Sequence, residues 1–298
     1  MNKRLLVIVI AVVLVVLLGV FVLLRPEPVA VVVPEIEPVE NAQPAPTSTV
    51  SIIGTSVEGR EIEAHTFGNG GTNILFVGGV HGGYEWNSVL LAYEFIDYFN
   101  TNPNLIPEGL SVSIIPNLNP DAVYEITGTD GRFAAVDIVA TSAELADARF
   151  NANNVDLNRN FDCKWAPEST WRGQTVSAGE AAFSEPETAA LKAFVIDSAP
   201  EAVIFWHSQA NTVYASECEA GVLPETLTIM ETYAAAAKYN TQASFDAYSI
   251  TGDAEGWLAS INIPAITVEL ETHESIDWNR NVSGVSALLN YYDVEMAR

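Results

Sequence analysis

Apolar and polar positions along this chain alternate between short strand-like runs and longer helical repeats. Asn73–Val80 (Asn-Ile-Leu-Phe-Val-Gly-Gly-Val) is an apolar run bounded by glycines, which predicts a buried strand. Val89–Phe99 repeats apolar residues at helical spacing. Leu110–Ile115 is a second strand, followed by the loop Pro116-Asn117-Leu118-Asn119-Pro120-Asp121. Ser184-Glu185-Pro186-Glu187 has the form of a capping box with proline in the first turn, and predicts a helix to about Ile196. Ala202–Trp206 and Pro264–Leu270 predict strands; Leu223–Tyr239 and Asn281–Met296 predict helices. Strands alternating with helices imply an α/β fold: a mixed, mostly parallel central sheet with helices on both faces. Ligands of such sheets bind in the crevice beyond the carboxyl ends of the strands. His81 and His207 each directly follow an apolar run, and Glu269 lies near the end of another, so all three are expected at that crevice.

The N-terminal sixth follows a different pattern. Leu5 to Leu24 is apolar and uncharged, long enough for a bilayer, which takes about 20 residues. It follows a basic stub, Met1-Asn2-Lys3-Arg4, and ends Leu23-Leu24-Arg25-Pro26, which lacks a small-x-small cleavage site. The expectation is a cytoplasmic stub over 1–4, a transmembrane anchor over 5–24, and an extracytoplasmic remainder; secretion after cleavage is the alternative. Residues 25–49 carry Pro26, Pro28, Pro34, Pro38, Pro44 and Pro46 among acidic and small residues, as an extended tether does. One domain, 50–298, remains.

The formal net charge of −25 argues against a nucleic-acid partner, whose phosphates such a surface repels. It favours basic peptides, or simply makes a soluble acidic coat. Cys163 and Cys218 are the only cysteines; outside the cytoplasm they allow one disulfide, and otherwise they are two buried thiols.

The candidate chemistry lies in four separated stretches: His81-Gly82-Gly83-Tyr84-Glu85, Val155–Phe161, Trp206-His207-Ser208 and Thr267-Val268-Glu269-Leu270. Two histidines and a glutamate can hold zinc with one coordination position open, where a water becomes a nucleophile near neutral pH. Asp156 is suited to orienting a ligating imidazole, or to forming a turn. The adjacent Asn158 and Arg159 can bind both oxygens of a carboxylate, although an arginine is more often a surface ion-pair partner. Glu269, a carboxylate on an apolar strand, is a candidate general base, with Glu271 as its competitor.

These stretches, in this order, resemble the zinc carboxypeptidase family, the carboxypeptidase A-like metallopeptidases. Asp156-Leu157-Asn158-Arg159-Asn160-Phe161 is the most specific phrase. Ser56–Arg60, Asn119-Pro120-Asp121 and Ser184–Glu187 add to it. The resemblance spans about Val50 to the C-terminus and implies a carboxypeptidase-like fold. It also implies one zinc on His81, Glu85 and His207, with Asp156 behind His81. Asn158, Arg159 and the capping Tyr248 would bind the substrate's terminal carboxylate, Arg149 would stabilise the oxyanion, and Glu269 would be the base. Glu255, two residues before Trp257, falls where the family lines the pocket for the terminal side chain, and implies a basic preference; structurally, it can instead stand in for the acidic residue usual at position 256, leaving Asp253 as the pocket residue. The chain departs from the family in placing three residues, not two, between His81 and Glu85. The implied activity is removal of C-terminal residues from peptides. Alternatives are amidase action on diaminopimelate-containing cell-wall peptides, N-acyl amino acid deacylation, and a non-catalytic peptide-binding member.

Overall fold

The computed structural model describes residue 2, residues 48–246 and residues 248–296. The expected anchor and nearly all of the tether lie outside these. Among the described residues no helix is long and apolar enough to cross a membrane. Strands β1 (Thr49–Thr55), β2 (Glu61–Gly68) and β3 (Thr72–Val77) lead to helix α1 (Trp86–Thr101), β4 (Leu110–Ile115), α2 (Pro120–Thr127) and α3 (Ser142–Asp147). A hairpin of β5 (Glu168–Trp171) and β6 (Gln174–Ser177) precedes α4 (Pro186–Ser198), β7 (Ala202–Ser208) and β8 (Thr212–Ala215). Short strands β9 (Glu217–Cys218) and β10 (Gly221–Val222) come next, then α5 (Pro224–Ala237) and β11 (Asn240–Gln242). The chain ends with α6 (Ala254–Ser260), β12 (Ala265–Leu270) and α7 (Trp278–Met296).

Eight strands form one sheet in the order β1-β2-β4-β3-β7-β12-β8-β11. Its centre, β4-β3-β7-β12, is parallel throughout, whereas β1-β2, β2-β4 and β12-β8 pair antiparallel. The sheet is thus mixed and mostly parallel, as expected. The central strands read as unbroken apolar runs because both faces are buried. Phe76, Ile204 and Trp206 pack on one side with Phe95, Tyr233 and Leu289 from α1, α5 and α7. Their neighbours Leu75, Val203 and Phe205 face the other side, against Leu191 of α4 and Trp257 of α6.

Two local expectations change. β7 runs on to Ser208, so His207 lies inside the strand rather than beyond it. The capping box before α4 does not form: Glu185 is the N-cap, without a side-chain capping bond. Glu187 instead accepts from the Val57 amide (3.0 Å) and from Asn151 (3.1 Å), because its carboxylate is drawn into a tertiary contact with the β1–β2 turn. Asp121 braces the same turn, accepting from Ser56 Oγ (2.6 Å), the Glu58 amide (3.0 Å) and Arg60 (2.7 Å). The phrases Ser56–Arg60, Asn119-Pro120-Asp121 and Ser184–Glu187 are therefore parts of the scaffold.

Candidate active site

The site forms where β3, β7 and β12 end. After β3 the chain turns at His81, and Gly82–Glu85 makes one turn of 3-10 helix that returns Glu85 beside His81. Gly82 has φ +43°, and a Cβ there would lie 2.6 Å from Ala122 Cβ; at Gly83 it would lie 2.7 Å from the Ala122 carbonyl oxygen. The two glycines thus let a close-packed turn absorb the extra residue between the two side chains. β7 and β12 pair in parallel with Glu269 opposite His207.

Ligand atoms of His81, Glu85 and His207 all lie within 4.8 Å of one another, and all three residues are buried. His207 Nδ1 is 2.8 Å from Glu85 Oε2. Burial opposes charge on His207, but the Glu85 and Glu255 carboxylates outweigh it and push the imidazole up to about 10. Burial, reinforced by Arg149 and His207, holds His81 well below the usual histidine range. A divalent cation held by this cradle would take the place of a proton between Glu85 and His207. Two imidazoles and one carboxylate beside an open cleft match the donor set of catalytic zinc, so these residues fit the ion. Burial and the nearby Glu85 carboxylate push Glu269 up to about 8, and a bound cation would oppose that shift.

The surrounding charges are locked in place. Asp156 Oδ1 lies 3.6 Å from His81 Nδ1, and its Oδ2 accepts from Arg149 Nε (2.9 Å) and pairs with Arg149 Nη2 (2.9 Å). Arg149 Nη1 reaches to 4.0 Å from Glu85 Oε1, and the guanidinium stacks 4.6 Å over the Trp171 ring. Asn158 Oδ1 accepts from the Ala254 amide at 2.8 Å. Arg159 donates to the carbonyls of Asn158 (2.6 Å) and Thr170 (3.3 Å), while its buried Nε has no partner. His81, Glu85, Arg149, Asn158, Arg159, Trp171 and His207 line one cleft of about 450 Å³, which Tyr248, Asp253, Glu255 and Glu269 also line.

Residues 35–297 match the family described as zinc carboxypeptidase. The chain belongs to the zinc carboxypeptidase family, a family of metallopeptidase hydrolases. Gamma-D-glutamyl-L-diamino acid endopeptidase 1 of Lysinibacillus sphaericus is 28% identical over 239 residues, 73% of this chain and 59% of that protein. The human carboxypeptidase N catalytic chain is 31% identical over 136 residues, 41% of this chain and 28% of that one. This chain therefore spans less than two thirds of the length of these curated relatives. Among solved structures, murein-tripeptide amidase MpaA from Escherichia coli O157 superposes with a TM-score of 0.58 at 22% identity, over 80% of this chain and 91% of that one. Bovine thrombin-activatable fibrinolysis inhibitor gives 0.64 at 18% identity, over 84% and 90%. Both share the carboxypeptidase-like fold.

Within this family fold, two expected residues take unexpected positions. The Glu255 carboxylate is committed, with Oε1 accepting from Thr267 Oγ1 at 2.8 Å and lying 3.5 Å from His207 Nε2. It backs the metal cradle, while Asp253 caps α6 through the Gly256 amide at 2.7 Å and is pushed up to about 6 by burial and by Glu255. Glu271, the rival base, lies past the end of β12, exposed beside Arg280 at 3.4 Å, and takes no part in the cleft. Tyr248 lines the cleft with its ring 4.9 Å from that of Phe245. Cys163 and Cys218 form the disulfide, tying the segment after Arg159 to β9. Sequence reasoning passed over Tyr84, Trp171, Arg172 and His273. Tyr84 packs at 5.2 Å on Trp171 and at 4.6 Å on His273, and His273 Nδ1 lies 2.8 Å from Ser208 Oγ. The peptide bond Ser208–Gln209 is cis.

Proposed function

We propose that this chain is a zinc metallocarboxypeptidase that hydrolyses the C-terminal peptide bond of extracytoplasmic peptides. The observation that carries the reading is one cleft lined by a metal cradle, a carboxylate base beside it, and the Asn158-Arg159 pair. Zinc bound by His81, Glu85 and His207 supplies Lewis-acid polarisation of the scissile carbonyl and acidification of a water. Glu269 takes the proton from the attacking water as its oxygen bonds to the carbonyl carbon. Arg149, held rigid by Asp156 and Trp171, donates to the carbonyl oxygen as negative charge gathers there. As the carbon–nitrogen bond breaks, Glu269 returns the proton to the leaving nitrogen. Asn158, whose Oδ1 is already engaged, presents its amide N–H groups to the substrate's terminal carboxylate beside Arg159. Tyr248 closes over that end of the substrate. Glu255 orients His207 through its far ring nitrogen, as outer-shell carboxylates do for ligating histidines.

A cell-wall peptide ending in a diamino acid is a second reading of the substrate. It is favoured by the similarity to the Lysinibacillus endopeptidase and the murein-tripeptide amidase fold. The N-terminal apolar run, if it anchors the chain, puts the cleft outside the cytoplasm, where either substrate is found. The deciding experiment gives the purified chain a mixed library of linear peptides and muropeptides, with and without a chelator. Metal-dependent loss of single terminal residues is expected. Peptide binding without turnover would instead favour a non-catalytic binding member.

A further inference from the structure

Arg172 is the one arginine among the described residues that no hydrogen bond or ion pair engages. Arg60, Arg132, Arg149 and Arg280 each grip a carboxylate, and Arg159 donates to two carbonyls. In a chain with 38 acidic and 13 basic residues, a guanidinium without a carboxylate is unexpected. Arg172 touches only rings: it lies 5.8 Å from the Tyr84 ring centroid and 5.7 Å from that of Trp171. It also lines the catalytic cleft.

Its backbone sharpens the point. Arg172 (φ +49°) and Gly173 (φ +79°) form the two-residue turn of the β5–β6 hairpin, where Trp171 opposes Gln174. Such a turn needs left-handed backbone at both positions and prefers asparagine or aspartate followed by glycine. Arginine is a poor choice for the first position, so the turn does not explain it. A residue that breaks a local rule beside an active site points to function. Two further groups nearby lack partners: the Tyr84 hydroxyl and His273 Nε2 are both buried without a hydrogen bond. Their rings pack against each other at 4.6 Å, and Tyr84 is the extra residue between His81 and Glu85.

We propose that Arg172, placed over the Tyr84 and Trp171 rings, receives a second carboxylate of the substrate, carried by the residue that precedes the scissile bond. The terminal carboxylate has its own partners in Asn158 and Arg159, so this site reads a different part of the peptide. The proposal rests on the carboxypeptidase reading and adds a specificity determinant to it. The carboxylate is either the side chain of an ordinary glutamate or the free α-carboxylate left by a γ-linked glutamate. Both present the same planar acceptor to a guanidinium fork. Without such a group, the acidic net charge would favour basic substrates along their whole length. Arg172 reverses that preference at one position.

The test uses calorimetric titration of the full chain with peptides made uncleavable by N-methylation of the terminal amide bond. Three peptides differ only before that bond, carrying α-linked glutamate, γ-linked glutamate or glutamine. One or both glutamate peptides should bind about tenfold more tightly than the glutamine peptide, and the better of the two identifies the carboxylate source. Arg172→Asn suits the turn and so preserves the hairpin; it should abolish the difference between the glutamate and glutamine peptides. Arg172→Lys should retain part of it. Equal affinity of all three peptides for the parent chain, or a preference that survives in Arg172→Asn, overturns the proposal alone. Failure of every peptide to bind overturns the carboxypeptidase reading and this proposal with it.

Discussion

Glu269 on β12 is the direct register partner of His207 on β7. Adjacent strands lie about 4.8 Å apart and register partners project to the same face, so the pairing sets a carboxylate beside a metal-binding imidazole without help from any loop. This relationship supports the proposed role of Glu269 as the base and predicts a clean separation of functions. Glu269→Gln keeps the shape and removes the proton acceptor, so zinc content should be unchanged while kcat falls about 10²–10⁴-fold. Steady-state kinetics paired with metal analysis checks it. Glu271→Gln should be close to the parent, since that carboxylate faces solvent and Arg280.

The contacts of Glu255 with Thr267 and His207 favour a role in supporting the cradle over one in choosing the substrate. Glu255→Ile should weaken zinc binding about 10–100-fold, as loss of a group behind a ligating histidine does. The rank order of kcat/KM for peptides ending in arginine, phenylalanine or glutamate, measured at saturating zinc, should be the same in both proteins. A parent preference for arginine that disappears in Glu255→Ile would return the residue to the specificity pocket.

The turn that carries the first two ligands has no spare room. Gly83→Ala puts a Cβ 2.7 Å from the Ala122 carbonyl oxygen and 2.9 Å from Ala148 Cβ. Overpacking of this kind costs about 1–3 kcal/mol, and the displaced turn moves Glu85 off the cradle. Thermal unfolding should shift downward, and chelator should strip zinc at lower concentration than from the parent.

The Cys163–Cys218 bridge closes a 55-residue separation beside the cleft, which Cys163 lines. A bridge of this span contributes about 2–4 kcal/mol, chiefly by restricting the unfolded chain. The unreduced chain, unfolded in denaturant, should show no thiol reactive to a labelling reagent. Reduction should expose both and lower the unfolding midpoint.

What was legible in the sequence follows the range of the forces involved. His81, His207 and Glu269 could be located because a central strand buried on both faces is an uninterrupted apolar run, and the polar residue at its end stands out. Glu269 and Glu271 could not be separated: period-two spacing puts both on one face, and only the end of β12 at Leu270 turns Glu271 outward. The contact of Glu255 with His207 joins segments 48 residues apart through the packing of α6 on the sheet, which no local pattern records. The antiparallel β1–β2 edge and the short β8 and β11 were missed for want of long apolar runs. The expected capping box failed because Glu187 gains more from a buried contact with the Val57 amide than from its own helix end.

The central claim is that this cleft recognises a free chain end and cuts the bond before it. Two peptides of identical sequence, one with a free C-terminal carboxylate and one amidated, are incubated with the zinc-loaded chain and followed by mass spectrometry. The account predicts loss of one terminal residue from the free peptide at a rate at least about 100-fold above that of the amidated one, because only the free peptide offers a carboxylate to Asn158 and Arg159. Equal cleavage of both peptides, or cleavage at internal bonds, would contradict it.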